Sequence, residues 1–225
     1  MSGALPPVVA DGASVPLPRR PLEHQDHQEA DDRVRHWYEN ELGWETVPGS
    51  PGTPLRLRVG LRFDVLDVPA EAGLAALRHL APGSPVAVRG DRVRLLVAAG
   101  GAQEVPGILD WLEWGTLPLG LRTIGEGGTM EAPLPGPNPE PVPGPLGVRP
   151  FPPGRSGAVQ GAAVWLRPPE PGYEVEASLP TLSAVGGDGS APELVRVLNT
   201  VATHCHRLRL RRTSAQPPMI SRTRH

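Results

Sequence analysis

Asp64 and Asp67 stand in the stretch Arg62 to Leu80, RFDVLDVPAEAGLAALRHL. The pattern reads as a buried strand, a tight turn and a helix. Carboxylates at a strand end can hold the divalent ions used in phosphoryl transfer, provided that they converge on one point. Residues two apart on a strand share a face, and residues three apart do not. Asp64 and Asp67 are therefore expected on opposite faces, and the same-face partner position of Asp67 holds Pro69. The outline is that of a metal site with one carboxylate where two are needed. The residues alone point to Asp67 as the cap of the following helix and to Asp64 as part of the solvated face of its strand.

Other chemistry-bearing groups are weaker. Gly125-Glu126-Gly127-Gly128 resembles a phosphate loop only in its glycines; it lacks the Lys-Ser/Thr pair of a P-loop, and a tight turn accounts for it. His204 and His206 flank Cys205, but helical neighbours are about 100° apart, so the two imidazoles diverge and cannot share an ion. Cys205 reads as a small buried hydrophobe. Arg207, Arg209, Arg211 and Arg212 could meet phosphates, but with no aromatic residue after Tyr173 a solvated helix end or a clamp onto the acidic N-terminal segment accounts for them more readily. Trp111 and Trp114, three apart on a helix, are expected on one face, for core packing or a protein partner. No Ser-His-Asp arrangement stands out.

The elements that must position these groups follow from periodicity. A helix from Asp31 or Asp32 to about Leu42 ends at Gly43, followed by a short strand over Trp44–Val47. Leu55, Leu57, Val59, Leu61, Phe63 and Val65 alternate strictly, as in one long half-buried strand or a hairpin turning at Gly60. A helix over Pro69–Leu80 begins with proline in its first turn. Pro85–Val97 reads as a hairpin about Gly90-Asp91, Val105–Trp114 as a short helix closed by Gly115, and Leu119–Glu131 as two short strands about the Glu126-Gly127-Gly128 turn. Ala162–Arg167 is a last strand, and Pro192–Leu208 carries Leu194, Val197, Leu198, Val201, Cys205 and Leu208 on one stripe. Leu57, Val59, Leu61, Phe63, Val65, Leu95, Val97, Val164 and Leu166 are expected to be buried in one sheet. The order of elements defines an α+β domain, with flanking helices on a mixed or antiparallel sheet.

Composition bounds the rest. The 225 residues suffice for one domain with tails, and 30 Pro and 27 Gly imply long irregular segments. Expected boundaries are a disordered tail at 1–30, a domain at 31–170 with a Pro/Gly-rich loop at 133–157, a linker at 171–190, a helix at 191–210 and a basic tail at 211–225. All 22 basic residues are Arg, which with the Ala, Gly and Pro excess fits a GC-rich genome such as that of an actinobacterium. A net charge of -2 gives no overall field for nucleic acid or membrane. Eight acids against two Arg between Glu23 and Glu45, and six Arg without an acid from Arg207 onward, make the charge distribution uneven. One cysteine excludes an internal disulfide. No basic-then-apolar leader and no apolar run of about 18 residues is present, so a cytoplasmic protein is expected.

Three segments, in order, resemble the bifunctional DNA primase/polymerase (prim-pol) family of the archaeo-eukaryotic primase superfamily. Tyr38 to Pro48, YENELGWETVP, is similar to its first helix and strand. Val65 to Gly73, VLDVPAEAG, resembles its metal strand, and Thr123 to Pro135, TIGEGGTMEAPLP, its later glycine hairpin; Gly161–Pro168 would be the closing strand. The resemblance covers about residues 31–170 and implies the fold. It also implies a site at Asp67, Pro69, Arg94 and Arg122. The family has a second metal-binding Asp where this chain has Pro69, a catalytic His at the position of Arg94, and a later acid at that of Arg122. Asp64, Asp110 or Glu126 could replace the missing acids only in a shifted alignment. The reading is a degenerate, catalytically inactive module, with Arg94 and Arg122 holding the phosphates of a nucleotide or nucleic acid and with no cofactor. The alternatives are an active nucleotidyltransferase using Mg²⁺ or Mn²⁺, and a scaffold that offers the Pro-rich loop and the Trp111/Trp114 face to a protein partner.

Overall fold

A computed structural model describes residues 31–49, 53–134, 161–172, 174–183 and 193–214. The tail expected at 1–30, residues 215–225 of the tail expected at 211–225, and almost all of the Pro/Gly-rich loop lie outside these residues. The fold is α+β. A five-stranded antiparallel sheet has the order β6-β3-β5-β4-β8, and a three-stranded one the order β1-β2-β7. The large sheet comprises β3 (Phe63–Pro69), β4 (Val86–Arg89), β5 (Arg92–Ala98), β6 (Arg122–Ile124) and β8 (Val164–Arg167). The small one comprises β1 (Thr46–Val47), β2 (Arg56–Arg58) and β7 (Thr129–Glu131).

Each face of the large sheet has its own core. Leu66 and Val68 of β3 and Val93, Leu95 and Val97 of β5 face three helices: α2 (Ala70–Ala76), α3 (Gly101–Trp111) and α4 (Glu193–Ser214). Phe63, Val65, Leu96, Ala87 and Trp165 face the small sheet and an N-terminal helix, α1, over residues 31–41. The last turn of α1, Trp37–Glu41, is π-helical and buries Tyr38. Tyr38 Oη donates to Pro133 O at 2.6 Å and accepts from Trp165 Nε1 at 2.9 Å, so burying the phenol leaves no polar atom wasted. Trp44 stacks on Tyr38 with centroids 6.1 Å apart and lies 4.6 Å from the ring of Phe63. Burial pushes the Tyr38 phenol far above its ordinary pKa. Among the described residues, no helix is long and apolar enough to cross a membrane.

Several elements depart from the periodicity. The alternating run from Leu55 is neither one strand nor a paired hairpin: β2 enters the small sheet and β3 the large one. The chain bends at Gly60, with φ 98°, and a Cβ there would lie 2.2 Å from Glu126 Cα. Only glycine lets this link and the Gly125–Gly128 turn touch. Leu61, expected in the core, sits on that bend and is 61% exposed, and Val164 on the edge strand is 40% exposed. The strands about the Glu126-Gly127-Gly128 turn also do not pair, because β6 and β7 belong to different sheets.

Helix α3 begins at Gly101, four residues before the expected Val105, and Glu113, with φ 65°, stops it rather than Gly115. Helix α4 continues through Ser214, past the expected end at 210, and its apolar stripe completes the core with α2 and α3. The Gly90-Asp91 hairpin forms as expected, with β4 and β5 paired from Arg89 and Arg92 inward.

Phe63→Ala removes a ring that is 1% exposed and is expected to cost about 3–5 kcal/mol in chemical denaturation. Gly60 and Gly90 both have positive φ, but only a Cβ at Gly60 meets backbone. Gly60→Ala is therefore expected to lower the midpoint more than Gly90→Ala; equal shifts would refute the close approach of the two loops.

Candidate functional site

The register of the large sheet brings the positions together. Asp67 is the cross-strand partner of Arg94 on one side and of Arg122 on the other. Neighbouring strands lie about 4.8 Å apart, so the backbones of Arg94 and Arg122 flank Asp67 across roughly 10 Å. Cross-strand partners share a face, and this row lies on the side of the sheet that also carries Phe63, Val65 and Leu96.

Asp67 is 9% exposed and Arg94 7% exposed. Asp67 Oδ2 accepts from Arg94 Nε at 3.3 Å, and Oδ1 accepts from Arg92 Nε. Arg92 also donates from Nη2 to Asp67 O at 2.6 Å and from Nη1 to Gly120 O at 2.9 Å, tying β3 and β5 to the loop before β6. Arg94 Nη1 is buried without a hydrogen-bond partner, and Arg122 is exposed and unpaired among the described residues. Two guanidinium groups engage one carboxylate, a local excess of about one positive charge, and Arg122 sits in register on the neighbouring strand; this balance disfavours a divalent cation and favours an anion.

Asp67 is therefore not a helix cap: position Pro69 caps α2, without a side-chain hydrogen bond. The carboxylate meets two arginines on its own face before it can reach the helix amides. Arg92 is the partner that the residue pattern did not single out. Its signal was available, since Arg92 lies two residues from Arg94 and so on the same face.

Asp64 is also corrected. It is 0% exposed, not solvated, and its Oδ2 accepts the Ala102 N–H at 2.9 Å. A carboxylate from a remote strand thus caps α3 and explains the early start of that helix. Burial raises the Asp64 pKa, backbone hydrogen bonds from Ala102 and Gly100 oppose the rise, and nearby Glu126 adds to it. Glu126 thus comes near Asp64, on the face opposite Asp67. Asp110 is exposed on α3, against Gly115, where a Cβ would lie 1.7 Å from its Oδ1. Among the described residues, no group of three His, Cys, Asp or Glu side chains could hold a metal ion.

The Gly125–Gly128 turn closes with a Gly128 N–H to Gly125 O bond of 2.9 Å. An open groove of about 400 Å³ runs between it and the start of α3. The buried Asp64 already occupies the positive end of that helix, and Glu126 lines the groove, so the electrostatics oppose a phosphate there.

Trp111 and Trp114 do not share a face. Trp111 is 74% exposed, whereas Trp114 lies beyond the helix end, donates to Asn199 Oδ1 at 3.2 Å and packs on His206 at 5.8 Å. Cys205 is buried, and burial pushes its thiol up to about 11. Arg211 pairs with Glu71 of α2.

Comparison of the chain with family models, with curated proteins and with solved structures gave no match.

Two measurements probe this arrangement. Asp67→Ala strands buried positive charge and is expected to cost about 3–5 kcal/mol, with part recovered in Asp67→Ala/Arg94→Leu. A thermally neutral Asp67→Ala would show that the pair is not structural. For Asp64 the folded-state pKa is raised, so the folded state holds the proton more tightly than the unfolded one. Its contribution to stability therefore falls as pH rises from the unfolded value of about 4 through the folded value. Asp64→Asn is expected to gain stability relative to the unsubstituted protein between pH 4 and 7. Parallel pH–stability curves would contradict the buried, proton-retaining carboxylate.

Proposed function

We propose that the chain is a degenerate prim-pol-like domain that binds phosphate groups of a nucleotide or of single-stranded nucleic acid without a metal ion, as a binding or regulatory module. The observation that carries this reading is the row Arg122–Asp67–Arg94, in which the carboxylate oxygens are engaged by Arg92 and Arg94. The resemblance to the prim-pol family supplies the positions of that row, and this chain fills two of them with arginine. Guanidinium forks match phosphate oxygens in pairs and carry positive charge that a metal would otherwise supply. Arg94 Nη1 and the Arg122 guanidinium, both without a partner among the described residues, are the donors that a phosphate would satisfy.

The metal-dependent polymerase reading needs carboxylates that converge with Asp67. Asp64 and Glu126 lie together on the opposite face instead, which favours binding over nucleotide transfer. The scaffold reading loses its paired Trp face and retains the exposed Trp111.

Titration of single-stranded DNA and of nucleoside triphosphates, in EDTA, tests the reading. Binding is expected to weaken steeply with salt, and Arg122→Ala is expected to reduce the slope by about one phosphate contact. Arg94→Gln/Arg122→Ala is expected to abolish it. Identical curves for all three proteins would sink the phosphate site. Template-directed incorporation with Mg²⁺ or Mn²⁺, lost in Asp67→Ala, would establish the polymerase instead.

A further inference from the structure

A second pocket, of about 200 Å³, lies where the C-terminal part of α4 passes the β4–β5 turn and the loop before β6. Helix α4 lines it with Cys205, Leu208, Arg209 and Arg212. Their spacing of three, four and seven residues places all of them on one stripe. Cys205 is 4% exposed, and Leu119 opposite it is 9% exposed. With Pro69 and Leu208 they make the interior apolar. Arg209 and Arg212 are exposed and, among the described residues, their guanidinium groups make no hydrogen bond or ion pair, unlike that of Arg211 beside them.

Arg92 also lines the pocket, but its guanidinium is committed to Asp67 and to Gly120 O. It acts as a fixed wall whose charge Asp67 offsets. One carboxylate, Asp91, is among the lining residues. The balance is two uncommitted guanidinium groups against one acid, around an apolar interior.

We propose that this pocket binds a small phosphomonoester, with a compact apolar group against Cys205, Leu119 and Leu208 and the phosphate held by Arg209 and Arg212. Size limits the ligand: pockets for drug-sized molecules hold about 300–1,000 Å³, so this one admits a single ring or short chain. Two forks one helical step apart suit a dianion better than a monoanion, because each can donate a pair of hydrogen bonds to it. The phosphate at the mouth stays partly hydrated, which spares the cost of burying it. The pocket is distinct from the proposed phosphate row: Arg92 joins the two, but neither Arg94 nor Arg122 lines the pocket.

The chain has one cysteine, so alkylation of Cys205 by a small reagent reports on the occupancy of the pocket. Phenyl phosphate is expected to slow alkylation of the full chain saturably, inorganic phosphate to do so only at higher concentration, and phenol not at all. Arg209→Gln/Arg212→Gln is expected to weaken the protection at least about tenfold through lost charged hydrogen bonds. Arg212→Gln alone, a milder change at the exposed helix end, is expected to weaken it as well. Arg122→Ala is expected to leave it unchanged, which separates this pocket from the row on the sheet. No protection at saturating phenyl phosphate, equal protection by phenol, or undiminished protection in both α4 variants would overturn the proposal.

Discussion

A carboxylate buried on β3, an interior strand of the large sheet, and held by two arginines of the neighbouring central strand β5, sets the constraint around which that sheet is organised. Asp67 lies in a strand that is covered on both faces, where an unpaired charge is costly. Arg92 and Arg94 meet it from a single strand because residues two apart share a face. Arg92 then reaches the carbonyls of Asp67 and Gly120, so one guanidinium group binds β3, β5 and the approach to β6. The same ion pairs that stabilise the sheet occupy the oxygens that a metal would need.

The second buried carboxylate does different work. Asp64 faces the helices, and its carboxylate accepts the buried Ala102 N–H at the start of α3. Helix and strand are thereby joined by a hydrogen bond between residues 38 positions apart. Two aspartates three residues apart in one strand therefore serve opposite layers, one tied to arginines and one to a helix terminus. Glycine supplies the complementary constraint. At Gly60 the link between the two sheets touches the turn at Glu126, and at Gly73 a Cβ would lie 2.6 Å from Val93 Cβ, so α2 can lie close on β5.

Much of the local structure was legible in the residue order. The Gly90-Asp91 hairpin, the strand ending in Asp67, the helix after Pro69 and the stripe of α4 follow from periods of two and 3.6 and from turn residues. The opposite facing of Asp64 and Asp67 follows from the pleat alone. The membership of strands in sheets did not follow. The alternation from Leu55 to Val65 has one period, yet its halves enter different sheets, because a bend at a glycine preserves the pattern while changing the direction of the chain.

The sequence by itself determined which residues alternate, where the chain turns, and that Asp67 lacks a carboxylate two residues on. These are properties of covalent spacing and of local backbone geometry. Only the tertiary structure decided what each charge meets. Whether Asp67 caps a helix or pairs with Arg92 and Arg94, and whether Asp64 meets water or Ala102, depends on elements that are distant in sequence. The energy of a buried charge is set by its neighbours in space, and those neighbours exist only once strands from separate parts of the chain have come into register.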